Sequence, residues 1–164
     1  SELNRITGDI RSYIFDLRSA DLESRDAEEI FATVAEELRA NTLIDIDLRV
    51  EGDYRPKLTS EQAEQLRHIA QEAFSNVLRH ARAKRVEVTL RCTRRQFTVE
   101  ICDDGVGYDP AAAPSRSRRG NAQGLANIRR RAEILGARLS MQSQPGQGSA
   151  LSLTMPVTAT RRSA

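Results

Sequence analysis

The apolar residues of this chain change period several times, and each change marks a new element. Leu3, Ile6, Ile10, Ile14 and Leu17 recur at three- and four-residue spacing, the signature of an amphipathic helix. It opens without a capping signal, as a helix already under way. Ser19 to Asp26 is polar and reads as a linker. Ile30, Phe31, Val34 and Leu38 then predict a second helix over 28–41. From Ile44 to Val50 the period drops to two, with Ile44, Ile46, Leu48 and Val50 set against Asp45, Asp47 and Arg49. That alternation is a half-buried strand. Thr59 and Gln62 make a capping-box pair ahead of a long helix running to about Ala81, with Leu66, Ile69, Ala70, Ala73 and Val77 as its core face.

Two strands follow, Arg85 to Cys92 and Gln96 to Cys102, joined by the polar turn Thr93-Arg94-Arg95. The stretch from Asp103 to Gln123 is polar and too long for a plain connection, so it reads as a flexible lid. A helix beginning at Leu125 ends at Gly136, a C-cap residue. Arg138 to Ser143 and Ser149 to Met155 are strands flanking the turn Pro145-Gly146-Gln147-Gly148, and Thr158 to Ala164 is expected to be a frayed tail. Strand pairs joined by short turns, with helices grouped between them, predict an α+β fold. It is a two-layer sandwich in which a mixed, mostly antiparallel sheet is covered on one face by helices.

Composition narrows the function classes. With 25 basic against 23 acidic residues, the chain lacks the charge excess of a protein that coats nucleic acid. Its 164 residues suit one ordinary domain, and no apolar run approaches the roughly 20 residues that span a bilayer. Cys92 and Cys102 fall on opposite strand faces in the predicted alternation. A disulfide between them is therefore not expected, and both read as small buried thiols in a reducing cytosol.

Four places carry candidate chemistry. Glu72, Asn76 and His80 are spaced four apart, with Arg79 beside them, so an α-helix would line them up on one face. A carboxylate, an amide and basic groups can hold a metal and its phosphates, although taken alone such a stripe is more often a solvated helix face. Asp103-Asp104-Gly105-Val106-Gly107 follows an apolar strand. Its glycines allow a sharp turn and a close ligand, and its leading carboxylate could accept from an exocyclic amine; an ordinary Asp/Gly turn looks the same. Gly120-Asn121-Ala122-Gln123-Gly124-Leu125 is glycine-rich and opens a helix, where free N–H groups favour phosphate. Gly146-Gln147-Gly148 could be a fourth ligand loop or only a hairpin turn.

In this order and spacing the motifs resemble the catalytic domain of the GHKL ATPase superfamily, and most closely histidine kinases of the nitrate-sensor and desaturase-thermosensor type. Gln71-Glu72-Ala73-Phe74-Ser75-Asn76-Val77-Leu78-Arg79-His80-Ala81 is similar to the family's N box. Asp103 to Gly107 is similar to its first glycine box, Gly124 to Ala132 to its second with the helix after it, and Pro145 to Gly148 to its last. The resemblance runs from about Thr59 to Pro156, and residues 10–18 further resemble the end of a dimerisation helix. It implies ATP and Mg²⁺ as cofactors, with Asn76 as the metal ligand and Glu72 positioning the nucleophile. Asp103 would read adenine, and Arg79, His80, Gly105, Gly107, Gly124 and Leu125 would line the nucleotide. Ala122 and Gln123 stand where the family often has a closely spaced glycine, and Arg79 stands where lysine is common.

The implied organisation is the end of a dimerisation helix over 1–18, a linker over 19–27, a catalytic ATP-binding domain over 28–157 and a tail over 158–164. The implied activity is protein histidine kinase, with the γ-phosphoryl group passing to a histidine on the dimerisation domain outside this sequence. His68 and His80, the two histidines present, lack the acidic neighbour of a phospho-acceptor. Further expected partners are a response regulator and a second copy in a homodimer, with no nucleic acid; the expected location is cytoplasmic, the parent protein being free or membrane-anchored. Arg116, Arg118 and Arg119 form a basic cluster without interleaved aromatics, which reads as charged lid rather than as a nucleic-acid patch. A self-contained ATPase clamp, a serine-kinase anti-sigma factor and a module that has lost its nucleotide are the rival readings.

Overall fold

The computed structural model describes residues 26–111 and 119–161. The helix expected before residue 19 and the basic positions Arg116 and Arg118 lie outside the described residues. The first described helix, α1, is Ala27–Asn41. Asp26, read from sequence as linker, is its N-cap and accepts from the Glu28 amide at 2.9 Å. Strand β1 is Asp45–Glu51, β2 is Tyr54–Lys57, and α2 is Ser60–Asn76. Thr59 and Gln62 close a full capping box at the start of α2, each side chain bonding the other's backbone amide at 3.1 and 2.9 Å.

The expected helix to Ala81 is not α-helical throughout: Val77–Ala81 is a π turn, which Arg82 ends in the left-handed conformation at φ 49°. Strand β3 is Arg85–Cys92 and β4 is Gln96–Asp103. Helix α3 is Arg119–Ile134, so it starts well before Leu125, and Gly136 closes it at φ 62°. The Ala137 amide donates to the Ala132 carbonyl and the Gly136 amide to Glu133, the bonding of a Schellman cap. Strands β5 Arg138–Ser143, β6 Ser149–Pro156 and β7 Thr158–Arg161 complete the chain.

One sheet has the order β1-β3-β4-β6-β5, and β2 pairs with β7 in a separate two-stranded ribbon. The β1–β3 pair is parallel and the other pairs are antiparallel. The tail expected beyond residue 157 is therefore partly a strand, in register with Tyr54 to Lys57.

Alternation places Val86, Val88, Leu90, Phe97, Val99, Ile101, Leu153 and Met155 on one buried face of the sheet. Helices α1, α2 and α3 supply the other half of the core through Phe31, Leu66, Ile69 and Ile128, all fully buried or nearly so. Burying each such side chain contributes roughly 1.5–3 kcal/mol. The opposite sheet face is polar. There Arg91 bridges Glu51 and Glu100 at 2.7 Å each, and Arg49 pairs with Asp47. Cys102 belongs to that outer face and is exposed, whereas Cys92 is buried. The expectation of two buried thiols thus holds for Cys92 alone.

Candidate functional site

The buried row of the sheet ends in polar residues. Val86, Asp103, Ser149 and Ser143 stand directly opposite one another across β3, β4, β6 and β5, so their side chains share the helix-facing side. Asp103 continues the alternation of Phe97, Val99 and Ile101 and is half-buried where the apolar residues stop. Burial raises its carboxyl above the ordinary aspartate value, against the pull of the Gly105 and Ser149 amides. The Gly105 amide donates to its Oδ1 at 2.9 Å.

Gly107 takes φ 60°, and a Cβ there would lie 2.0 Å from the Gln144 carbonyl oxygen. A Cβ on Gly148 would lie 1.9 Å from the carbonyl oxygen of Asp103. The first glycine turn and the last are thus packed backbone to backbone, which only glycine permits. The Gly146 amide adds a bond to the Val106 carbonyl at 2.7 Å. Gly146-Gln147-Gly148, left open between ligand loop and hairpin turn, is a hairpin turn and also the wall that shapes the Asp103 loop.

Asp104 points elsewhere. Its carboxylate accepts from the Lys84 and Arg85 amides at 2.8 and 2.9 Å, tying the Asp103 turn to the chain that leaves the π turn. The Arg85 amide bond, with a smaller contribution from Lys84, holds its acid strength up by lowering its pKa.

On the helical side, Glu72 and Asn76 lie one turn apart on α2, both partly buried. Gly124 of α3 is pressed against them: a Cβ on it would lie 2.2 Å from Glu72 Oε1 and 3.2 Å from Asn76 Oδ1. The two helices run past each other here, with Arg131 of α3 reaching back to Gln65 of α2 at 2.8 Å. Gly124 was expected to open its helix. Because α3 begins at Arg119, Gly124 is already past the first turn, and its amide is not among the free donors of the helix end. Its role in this geometry is close approach. Leu125 beside it is partly buried against the core.

The α-helical part of the expected stripe ends at Asn76. Arg79 is exposed in the π turn, and the side chain of His80 lies outside the described residues. His68, partly exposed, has Glu64 Oε1 at 3.9 Å.

The oxygens of Asn76 and Glu72 are hard donors of the kind Mg²⁺ takes. One or two of them suffice when phosphates and water complete the shell, so these residues fit the ion. Among the described residues no group of three His, Cys, Asp or Glu side chains could hold a metal by itself. Sequence reading missed Asp104 and Ser143 as parts of the site. Ser143 did leave a signal: it is the polar member that ends the inward row Leu139, Met141, Ser143.

Residues 61–159 match the family model described as "Histidine kinase-, DNA gyrase B-, and HSP90-like ATPase". The chain is 33% identical over 162 residues to an uncharacterized sensor-like histidine kinase of Chloroflexus aurantiacus, covering 93% of this chain and 26% of that protein. It is 24% identical to the oxygen sensor histidine kinase NreB of Staphylococcus carnosus, covering 95% of this chain and 44% of that one. The chain thus spans less than half the length of these curated relatives. Its fold matches the mycobacterial sensor histidine kinase MprB with a TM-score of 0.65 at 20% identity, over 82% of this chain and 97% of that one. It also matches full-length ShkA, solved in complex with AMPPNP, with a TM-score of 0.67 at 21% identity, over 82% of this chain and 31% of ShkA.

Proposed function

Because this chain belongs to the histidine kinase-, DNA gyrase B- and HSP90-like ATPase family, we propose that it binds Mg·ATP and supplies the γ-phosphoryl group to a histidine imidazole on another domain. The observation that carries the reading is the contact of Gly124 with Glu72 and Asn76. It brings the second glycine segment onto the acid and amide of the long helix, while the Asp103 turn is held rigid at the end of the sheet. Asn76 would hold the ion, which supplies charge neutralisation to the phosphates. Glu72 would orient the attacking group, and Asp103 would accept from the 6-amino group of adenine. Arg79 and His80 on the π turn, and Gly105, Gly107, Gly124 and Leu125 on the glycine segments, complete the proposed nucleotide contacts. Phosphoryl transfer asks the protein mainly for positioning and charge stabilisation, which this arrangement of fixed groups suits.

In this reading residues 1–18 are the end of a dimerisation helix and 28–157 the catalytic domain. The parent protein acts as a homodimer in the cytoplasm, where ATP is supplied, and a response regulator receives the phosphate. Calorimetry of the wild type and Asn76→Ala, with and without Mg²⁺, tests the core of it. ATP affinity should drop in the variant when Mg²⁺ is present and change much less without it. Equal affinities in Mg²⁺ would remove Asn76 from the metal site.

A further inference from the structure

Resting on the reading of Asp103 as the base-reading carboxylate, we propose that Ser143 is a positioning residue for the purine pocket, its hydroxyl bolting the first glycine turn to the last. Ser143 ends β5 and is the one buried polar residue among those described, at 8% exposure. Its Oγ accepts from the Tyr108 amide at 2.8 Å and donates to the Gly148 carbonyl at 3.1 Å. A third partner, Ser149 Oγ, lies at 3.0 Å.

A hydroxyl has one proton and two acceptor sites. The amide can only donate and the carbonyl can only accept, so the proton of Ser143 belongs to Gly148. All three bonds form together only if Ser149 donates to Ser143. The hydroxyl therefore does two things. It ties Tyr108, just past the Asp103–Gly107 turn, to the turn that walls it. It also draws the Ser149 proton away from Asp103, the residue paired with Ser149 on the neighbouring strand. The carboxylate then faces its ligand without a competing hydroxyl donor from that side.

Removing the hydroxyl leaves the Tyr108 amide and the Gly148 carbonyl to relax, and it frees the Ser149 proton to turn toward Asp103. Ser143→Ala should weaken Mg·ATP binding roughly tenfold. It should also pull the ratio of ATP to GTP affinity toward one, and Ser143→Thr should recover both. A part that is structural alone would lower the melting temperature and leave that ratio at its wild-type value. Site-resolved amide exchange gives an arm independent of nucleotide: Tyr108 and Gly146 should exchange faster in Ser143→Ala than in the wild type. Should the alanine variant not fold, Ser143→Cys keeps the volume with a weak hydrogen-bonding group and takes the same measurements. Wild-type selectivity together with wild-type exchange at Tyr108 overturns the assignment. A wild type that binds no ATP overturns the proposed function instead, and the exchange arm still decides the bolt.

Discussion

Asp103 and Asp104 are neighbours whose protons respond to the fold in opposite senses. Burial raises Asp103, so its carboxylate form costs stability at neutral pH, and that cost is relieved as pH falls through the raised value. Asp104 is lowered by the Arg85 amide; its stabilisation is complete above the unfolded value and is lost as pH falls through the lower folded one. Ligand binding should follow Asp103. In the proposed function a protonated Asp103 would present a hydroxyl donor to the amino group of adenine, which needs an acceptor, so ATP affinity should begin to fall on acidification above the ordinary aspartate value of about 3.9. Asp103→Asn should flatten that profile and admit GTP; calorimetry across pH reads both, and an unchanged profile would place the purine elsewhere.

Gly124 makes a different residue-scale prediction. Alanine is the better helix former by about 1 kcal/mol, and the atom it meets first, Glu72 Oε1, is the end of a flexible side chain. Gly124→Ala should therefore fold with wild-type or slightly higher stability, yet, with the acceptor histidine supplied on its own domain, transfer phosphate poorly because Glu72, the residue proposed to orient the attacking group, is pushed aside. A variant with both wild-type melting and wild-type turnover would show that the Glu72 position does not matter.

Among the elements, turns that look alike in sequence divide by what surrounds them. Gly136 takes φ 62° with nothing within 4 Å of a Cβ, whereas Gly148 at φ 75° abuts the Asp103 backbone. Gly136→Ala should cost only the left-handed penalty, about 1–2 kcal/mol, and leave nucleotide affinity unchanged. Gly148→Ala should also displace Asp103 and lose affinity. Denaturant titration and calorimetry of the pair test this. Residues such as Gly136 were legible in sequence because a cap depends on local conformation. The start of α3 was not: Arg119 to Gln123 is polar and glycine-bearing, and what supports the helix there includes the seat of buried Gly124 on α2, a contact between segments distant in sequence. The π turn was likewise hidden, since Val77 continues the apolar spacing of α2 and nothing local announces the extra residue.

At the scale of the whole molecule, the alternating strands, their order of appearance and the carboxylate at the end of β4 were readable because a period of two reports a buried face directly. The β2–β7 ribbon was not. Tyr54-Arg55-Pro56-Lys57 has little apolar content and contains a proline, which suits only the rim of a sheet, and its partner lies about a hundred residues away. The proposed function also sets a limit on this chain alone: it should bind ATP without becoming stably phosphorylated on histidine. His68 precedes Asn76 by two turns, about 12 Å along the helix axis, too far for in-line attack on a phosphate held at Asn76. Acid-labile phosphate on the isolated chain, lost on mutating His68 or His80, would overturn that limit.

The sheet order has a consequence for how the protein is made. Strand β6 is the last strand of the five-stranded sheet to be synthesised but belongs inside it, between β4 and β5, and it brings the fully buried Leu153 and Met155. Until residues 149–156 leave the ribosome, β4 presents an open hydrogen-bonding edge beside an apolar face, the kind of surface that invites aggregation. The Asp103 turn meets its glycine wall only when that hairpin docks. A nascent chain should therefore gain affinity for nucleotide only when β6 docks, and nucleotide should protect the sheet after that step while giving little protection before it.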